Sequence, residues 1–139
     1  MKRVMHIAEV GLRVKDLDRM ISFYQDIFGF EIVHQKSNMV FFNVGELDSP
    51  LGHGGHPQYL VFFDRDVEPD KTISTLDHLA FEIPLENFES EKARLEKKGL
   101  LERERVWTGQ GEFLRARSLF FYDPEGNTLE VIAHDPSVT

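Results

Sequence analysis

Three side chains in this sequence have the type and placement to hold a divalent metal ion: Glu9, His78 and Glu130. Glu9 sits in MHIAEVGLRV (5–14) and His78 in STLDHLAFEI (74–83), two alternating runs about half a chain length apart. Successive side chains of a strand point to opposite faces. Val10, Leu12 and Val14 therefore share one face, and Glu9, Gly11 and Arg13 share the other. Leu129 and Val131 likewise point one way, with Glu130 and Ile132 pointing the other. With the last strand of each half placed beside its first, Glu9, His78 and Glu130 are expected to converge opposite the core faces. Two carboxylates and one imidazole suit Fe(II), Mn(II), Ni(II), Co(II) or Zn(II), and they leave positions for water or substrate. Taken singly, each residue has a plainer reading: a strand glutamate is usually solvent-facing, and a lone histidine is more often a hydrogen-bonded or surface residue.

The elements that must position these groups occur twice. Each alternating run is followed by a segment with helical spacing that ends in glycine, Gly29 or Gly99, and then by several short strand-like runs. In the first half, Asp16 or Asp18 is placed to cap a helix carrying Met20, Ile21, Tyr24, Ile27 and Phe28. Strands are predicted over 30–35, 39–44 and 59–63. In the second half a strand over 76–83 precedes a helix over 87–98, and strands follow over 101–107, 116–122 and 128–133. DPEG at 123–126 reads as a turn. A repeat this long in a chain of 139 residues means two halves of one fold rather than a solenoid. The predicted class is α+β: two tandem βαβββ modules with mixed sheets forming a concave cup, helices on the outer faces. The expected organisation is one domain over 1–139, with module one at 4–66, module two at 73–135 and a polar linker at 64–72.

Bulk properties narrow the function classes. The net charge of −8, from 16 basic and 24 acidic residues, disfavours nucleic acid and anionic membrane surfaces. No apolar run approaches the ~20 residues of a membrane span. The N-terminal MKRVMHIAEV lacks the long apolar stretch of a signal peptide. There are no cysteines, which removes thiolate chemistry and disulfides and suits a cytoplasmic location.

The runs VGLRVKDLDRMISFYQDIFGF (10–30), LDHLAFEIP (76–84) and FFYDPEGNTLEVI (120–132) carry a family likeness. Over nearly its whole length the chain resembles the vicinal oxygen chelate superfamily. That group includes glyoxalase I, extradiol dioxygenases, methylmalonyl-CoA epimerase and the fosfomycin- and bleomycin-resistance proteins. The resemblance implies a homodimer and a divalent metal that chelates two neighbouring oxygens of a small substrate. It implies lyase or isomerase chemistry, or ring-cleaving dioxygenation. The different-class alternative is a metal-free protein that sequesters a ligand, as in bleomycin resistance. Carried over, the family's ligand positions fall on Glu9, where histidine or glutamine is more usual, and on His78 and Glu130. Matched back from His78, the first-half glutamate of glyoxalase I falls on Leu60, which can neither bind metal nor move a proton.

Further candidates surround this set. His53 and His56 lie in a glycine-rich loop and are placed as acid/base or substrate contacts, although a surface loop with incidental histidines is the commoner case. Gln58 and Phe62 share a face with Leu60 and are expected to line the cup, Gln58 as a catalytic candidate that hydrogen-bonds a ligand or substitutes in the coordination shell, and Phe62 as part of an apolar pocket. Tyr122 and Arg117 border the last hairpin. Tyr122 is a catalytic candidate. Arg117 suits an anionic substrate, with a surface salt bridge as its plainer role. GQG at 109–111 reads as a lid tip or as an ordinary glycine hairpin.

Overall fold

The computed structural model of the chain describes residues 7–45, 58–65, 76–108 and 115–139. Two compact units are present, Met1–Thr72 and Ile73–Thr139. Each consists of a four-stranded mixed sheet and one α-helix, and the two follow the same order of elements.

In the first unit, β1 (Glu9–Arg13) leads into α1 (Leu17–Phe28), then β2 (Glu31–Lys36), β3 (Met39–Asn43) and β4 (Tyr59–Phe63). The sheet order is β1-β4-β3-β2, with β1 and β4 parallel and the other pairs antiparallel. The Asp16 carboxylate accepts the Arg19 N–H at 3.1 Å and so satisfies one of the free donors of the first turn. Leu17, Met20, Ile21, Tyr24 and Ile27 recur at helical spacing and are all buried against the sheet. Gly29 ends the helix at φ 66°, where a side chain would be strained.

The second unit repeats this plan with β5 (Leu79–Glu82), α2 (Phe88–Lys97), β6 (Arg103–Thr108), β7 (Arg115–Tyr122) and β8 (Thr128–His134). Its sheet order is β5-β8-β7-β6, and β5 and β8 are the parallel pair. The helix expected from residue 87 begins with a 3-10 turn at Leu85–Asn87, directly after Pro84. Its end closes through the Leu100 N–H to the Leu95 carbonyl at 3.0 Å, with Gly99 at φ 70°. Between β7 and β8 the predicted DPEG turn is tied by Asp123, which accepts from the Glu125 and Asn127 N–H groups at 2.9 and 3.0 Å. This turn sets the hairpin register, Tyr122 opposite Thr128 and Phe120 opposite Glu130.

One expectation is corrected here. Leu60 and Phe62 do not line a cup. Register pairs Leu60 with Val10 and Phe62 with Leu12, on the face that packs on α1. Leu60 is 2% exposed, and Phe62 is fully buried with its ring edge-on to Tyr24 at 4.7 Å. YLVFF is apolar at every position, so its alternation carries no sign of which face is which. The opposite face of β4 is carried by Tyr59, Val61 and Phe63. Gln58 is half-buried, and its carbonyl accepts the Val44 N–H at 2.9 Å. Among the described residues no helix is long and apolar enough to cross a membrane.

Candidate metal centre

His78 and Glu130 meet on the face of the second sheet that α2 leaves uncovered. Ala80 and Glu130 are parallel-register partners, and His78 lies two residues before Ala80, so all three share a face. The alternate positions Leu79, Phe81, Leu129 and Val131 turn toward the helix. The imidazole Nε2 of His78 stands 3.2 Å from Oε2 of Glu130.

Glu130 is only 4% exposed, and a buried carboxylate must find partners for its oxygens. Ser118, on neighbouring β7, donates its hydroxyl to Oε1 of Glu130 at 2.5 Å. The Ser118 oxygen in turn accepts the indole N–H of Trp107, on β6, at 2.9 Å. A hydrogen-bond chain thus crosses three strands and ends on the carboxylate. On its other side, Nδ1 of His78 is 2.7 Å from the Asp77 carboxylate.

This arrangement decides what the pair can hold. The imidazole sits between two carboxylates, both acceptors. A neutral ring has one N–H and can satisfy one of them. Hydrogen bonding through Nδ1 to Asp77 leaves the Nε2 lone pair facing an oxygen of Glu130, and only a proton or a cation reconciles two facing lone pairs. A carboxylate behind the imidazole and a hydroxyl behind the carboxylate are the outer contacts that orient and strengthen metal ligands. One nitrogen and one carboxylate oxygen are donors that fit a borderline divalent ion. Among the described residues no group of three or more histidine, aspartate or glutamate side chains forms a metal site. His78 and Glu130 are a pair of donors within one unit.

The other expected residues are distributed as follows. Glu9 opens β1 of the first unit and is exposed, on the same face as Tyr59 and away from α1. Its place matches that of His78: Glu9 is two residues before Gly11, which pairs with Val61, and His78 is two before Ala80, which pairs with Glu130. The first-unit counterpart of Glu130 is therefore Val61, one residue beyond the expected Leu60. His53, His56 and the 109–111 glycine segment lie outside the described residues. Tyr122 is 51% exposed and borders a hollow of about 250 Å³.

Arg117 turns to the helix side, away from Ser118 and Glu130. Its guanidinium donates to Glu89 at 2.7 Å and to Glu104 at 3.2 Å, and it lies over the Phe88 ring at 4.2 Å. The hydrogen bond to Glu89, and then that to Glu104, raise its pKa further. Glu104 also receives the Lys92 ammonium at 2.6 Å, the main cause of its lowered pKa. The plainer role foreseen for Arg117, a salt bridge, is the one it fills, tying α2 to β6.

Residues not foreseen complete the hollow around the pair. About 210 Å³ of space is lined by Asp77, His78, Arg103, Arg105, Trp107, Phe120, Thr128 and Glu130. Arg105 lies over the Trp107 ring at 3.6 Å, and Arg103 over Phe120 at 4.2 Å. Counting back from DPEG would have placed Phe120 opposite Glu130 and Ser118 two positions further along the same face.

A model of the Glyoxalase/Bleomycin resistance protein/Dioxygenase superfamily matches residues 3–131. The chain belongs to this superfamily. Catechol-2,3-dioxygenase of Bacillus subtilis (strain 168) is 24% identical over 138 residues, covering 96% of this chain but 43% of that protein. The chain thus spans less than half the length of this curated relative. The crystal structure of lactoylglutathione lyase from Agrobacterium tumefaciens matches with a TM-score of 0.67 at 25% identity, covering 95% of this chain and 96% of that one. The fosfomycin resistance protein FosX from Listeria monocytogenes matches with a TM-score of 0.66 at 26% identity, covering 96% of both chains. A mutant of that FosX has been crystallised with Mn(II) and 1S,2S-dihydroxypropylphosphonic acid, and it matches with a TM-score of 0.65 at 26% identity, over 96% of this chain and 93% of that one. The superfamily thus includes members with a metal ion and a small organic molecule bound.

Proposed function

We propose that this member of the superfamily is a metal-dependent enzyme acting on a small molecule, with His78 and Glu130 as metal ligands. The observation that carries this reading is the pair itself: an imidazole nitrogen and a buried carboxylate oxygen face each other at 3.2 Å, each backed by a second polar group. Glu9 is proposed as a further ligand because it holds the strand position that His78 holds in the other unit. When bound, a divalent cation supplies Lewis acidity to two neighbouring oxygens of a substrate. Fe(II), Mn(II), Ni(II), Co(II) and Zn(II) all accept this donor set, and the Mn(II) in FosX makes manganese the first ion to try.

The chain's own residues do the positioning. Ser118 fixes one oxygen of Glu130 and leaves the other turned toward His78. Asp77 holds the imidazole by Nδ1. Phe120 and Trp107 line the hollow beside the pair. The first unit offers no carboxylate at Val61, the counterpart of Glu130, so proton transfer between two such carboxylates is not the favoured chemistry. Lyase or isomerase chemistry with a different base, or ring-cleaving oxygenation, are the reactions proposed.

Calorimetric titration with Mn(II), Fe(II) and Zn(II) tests the reading on wild type, His78→Ala, Glu130→Gln and Glu9→Gln. Wild type should bind one ion. The His78 and Glu130 variants should lose affinity by more than about 100-fold, beyond the effect of removing an outer contact, with circular dichroism unchanged. Equal affinities in wild type and both variants overturn the metal reading and leave a ligand-sequestering protein in its place.

A further inference from the structure

Strand β6 reads RERVWT, and its alternation separates two kinds of cationic environment. Glu104 faces α2 and is neutralised by Lys92 and Arg117. Arg103, Arg105 and Trp107 face the other way, into the hollow that holds His78 and Glu130. The arginine that faces the helix side, Arg117, has two carboxylate partners. Among the described residues, neither Arg103 nor Arg105 has any. This is unexpected in a chain with 24 acidic and 16 basic residues.

Aromatic rings fix both guanidiniums in place. The Arg105 Cζ lies over the Trp107 ring at 3.6 Å and that of Arg103 over Phe120 at 4.2 Å, and such contacts stabilise a cation through the ring's quadrupole. A stacked guanidinium has one face covered, and its N–H edges remain available. Those edges form a planar fork that matches the paired oxygens of a carboxylate or a phosphonate. Two residues apart along a strand, the Cα atoms of Arg103 and Arg105 are separated by roughly 6–7 Å on one face. Long side chains at that spacing can converge on one oxyanion.

We infer that Arg103 and Arg105 form an oxyanion-binding subsite, and that the natural substrate is a small organic anion whose charged group docks there while its remaining oxygens face His78 and Glu130. This deepens the proposed function by naming a substrate class, and it rests on reading the hollow as the substrate site. It does not rest on which metal is bound. Charge permits it without a metal: the two carboxylates of the lining, Asp77 and Glu130, are engaged by His78 and Ser118, and among the described residues neither forms an ion pair with Arg103 or Arg105.

Trp107 is the chain's single tryptophan, so its fluorescence reports on this subsite. Chelator-treated protein is titrated with phenylphosphonate, benzoate and neutral benzamide, following fluorescence and heat. Wild type should bind at least one of the two anions saturably and benzamide far more weakly. Arg103→Gln and Arg105→Gln should each weaken that binding by roughly ten- to a hundred-fold, the loss of a charge-assisted hydrogen bond. Arg105→Lys should fall between, and Arg19→Gln, on the exposed face of α1, should match wild type. Preference for phenylphosphonate or for benzoate identifies the group. No saturable anion binding, equal binding of benzamide, or unchanged binding in both glutamine variants overturns the inference. Mn(II) titration of the same glutamine variants keeps the subsite distinct from the metal centre: retained metal with lost anion binding supports the subsite, and lost metal binding in His78→Ala alone bears only on the metal.

Discussion

Val61 and Glu130 occupy the same position in their two units: Val61 is the parallel-register partner of Gly11, as Glu130 is of Ala80. Two halves with one topology therefore present different chemistry at one point. The second unit offers a buried carboxylate and the first a buried methyl pair.

The first prediction follows directly. Without a first-unit carboxylate at Val61, the hemithioacetal of methylglyoxal and glutathione should be turned over poorly, if at all, with Ni(II), Co(II), Mn(II) or Zn(II). Absorbance of the thioester product measures it. Rapid turnover with any of these ions would point to a base elsewhere in the chain.

Ser118 bridges Trp107 and Glu130, so Ser118→Ala removes two hydrogen bonds at once. The indole N–H loses its acceptor, and one carboxylate oxygen is left buried without a donor. The expected loss is about 1–3 kcal/mol in urea unfolding. Mn(II) affinity should fall by about 10–100-fold, as when an outer contact of a metal ligand is removed. Ser118→Thr keeps the hydroxyl and should recover most of both. A variant with wild-type metal affinity would show that Ser118 only fills space.

Phe62 separates core from pocket. Fully buried between Tyr24 and Phe42, it should cost about 3–5 kcal/mol when replaced by alanine. Anion binding at Trp107 should be unchanged under conditions where the variant is folded. A small stability change together with weakened ligand binding would return Phe62 to the pocket.

The Lys92–Glu104–Arg117 cluster predicts a pH dependence. The hydrogen bond from Lys92 is the largest cause holding the Glu104 pKa below the ordinary glutamate range. A carboxyl with a folded-state pKa below its unfolded one stabilises the fold above the unfolded value, and that contribution is lost as pH falls through the folded value. Glu104→Gln should therefore be less stable than wild type at about pH 7, by less than about 1 kcal/mol because these side chains are partly solvated. The gap should be smaller at about pH 3, below the ordinary glutamate range, than at about pH 7. Urea midpoints at the two pH values measure this. A gap that persists in acid would mean the glutamine substitution acts through packing.

The amino-acid sequence alone determined the repeat, the order of elements in each half, the helix stop at Gly29, and the faces of β1, β5 and β8; between Asp16 and Asp18 the structure chose Asp16 as the cap. In each of those strands one face is apolar throughout and the other carries the charged side chains, so burial has only one way to orient them. That alternation already set His78 and Glu130 opposite the core, where the structure brings them together.

The tertiary structure alone decided the rest, for two physical reasons. A strand that is apolar throughout, such as YLVFF, has no polar side, and its orientation comes only from register with β1; this is why matching back from His78 and then alternating from Leu60 puts Leu60 and Phe62 on the wrong face and passes over Val61. Contacts between strands depend on pairing between segments far apart in the chain. Trp107, Ser118 and Glu130 are separated in sequence and joined only by the β6–β7 and β7–β8 registers. The same holds for the arginines. Their residue type does not distinguish Arg117 from Arg105, and only the face each occupies ties one to Glu89 and Glu104 and sets the other over Trp107 beside His78 and Glu130.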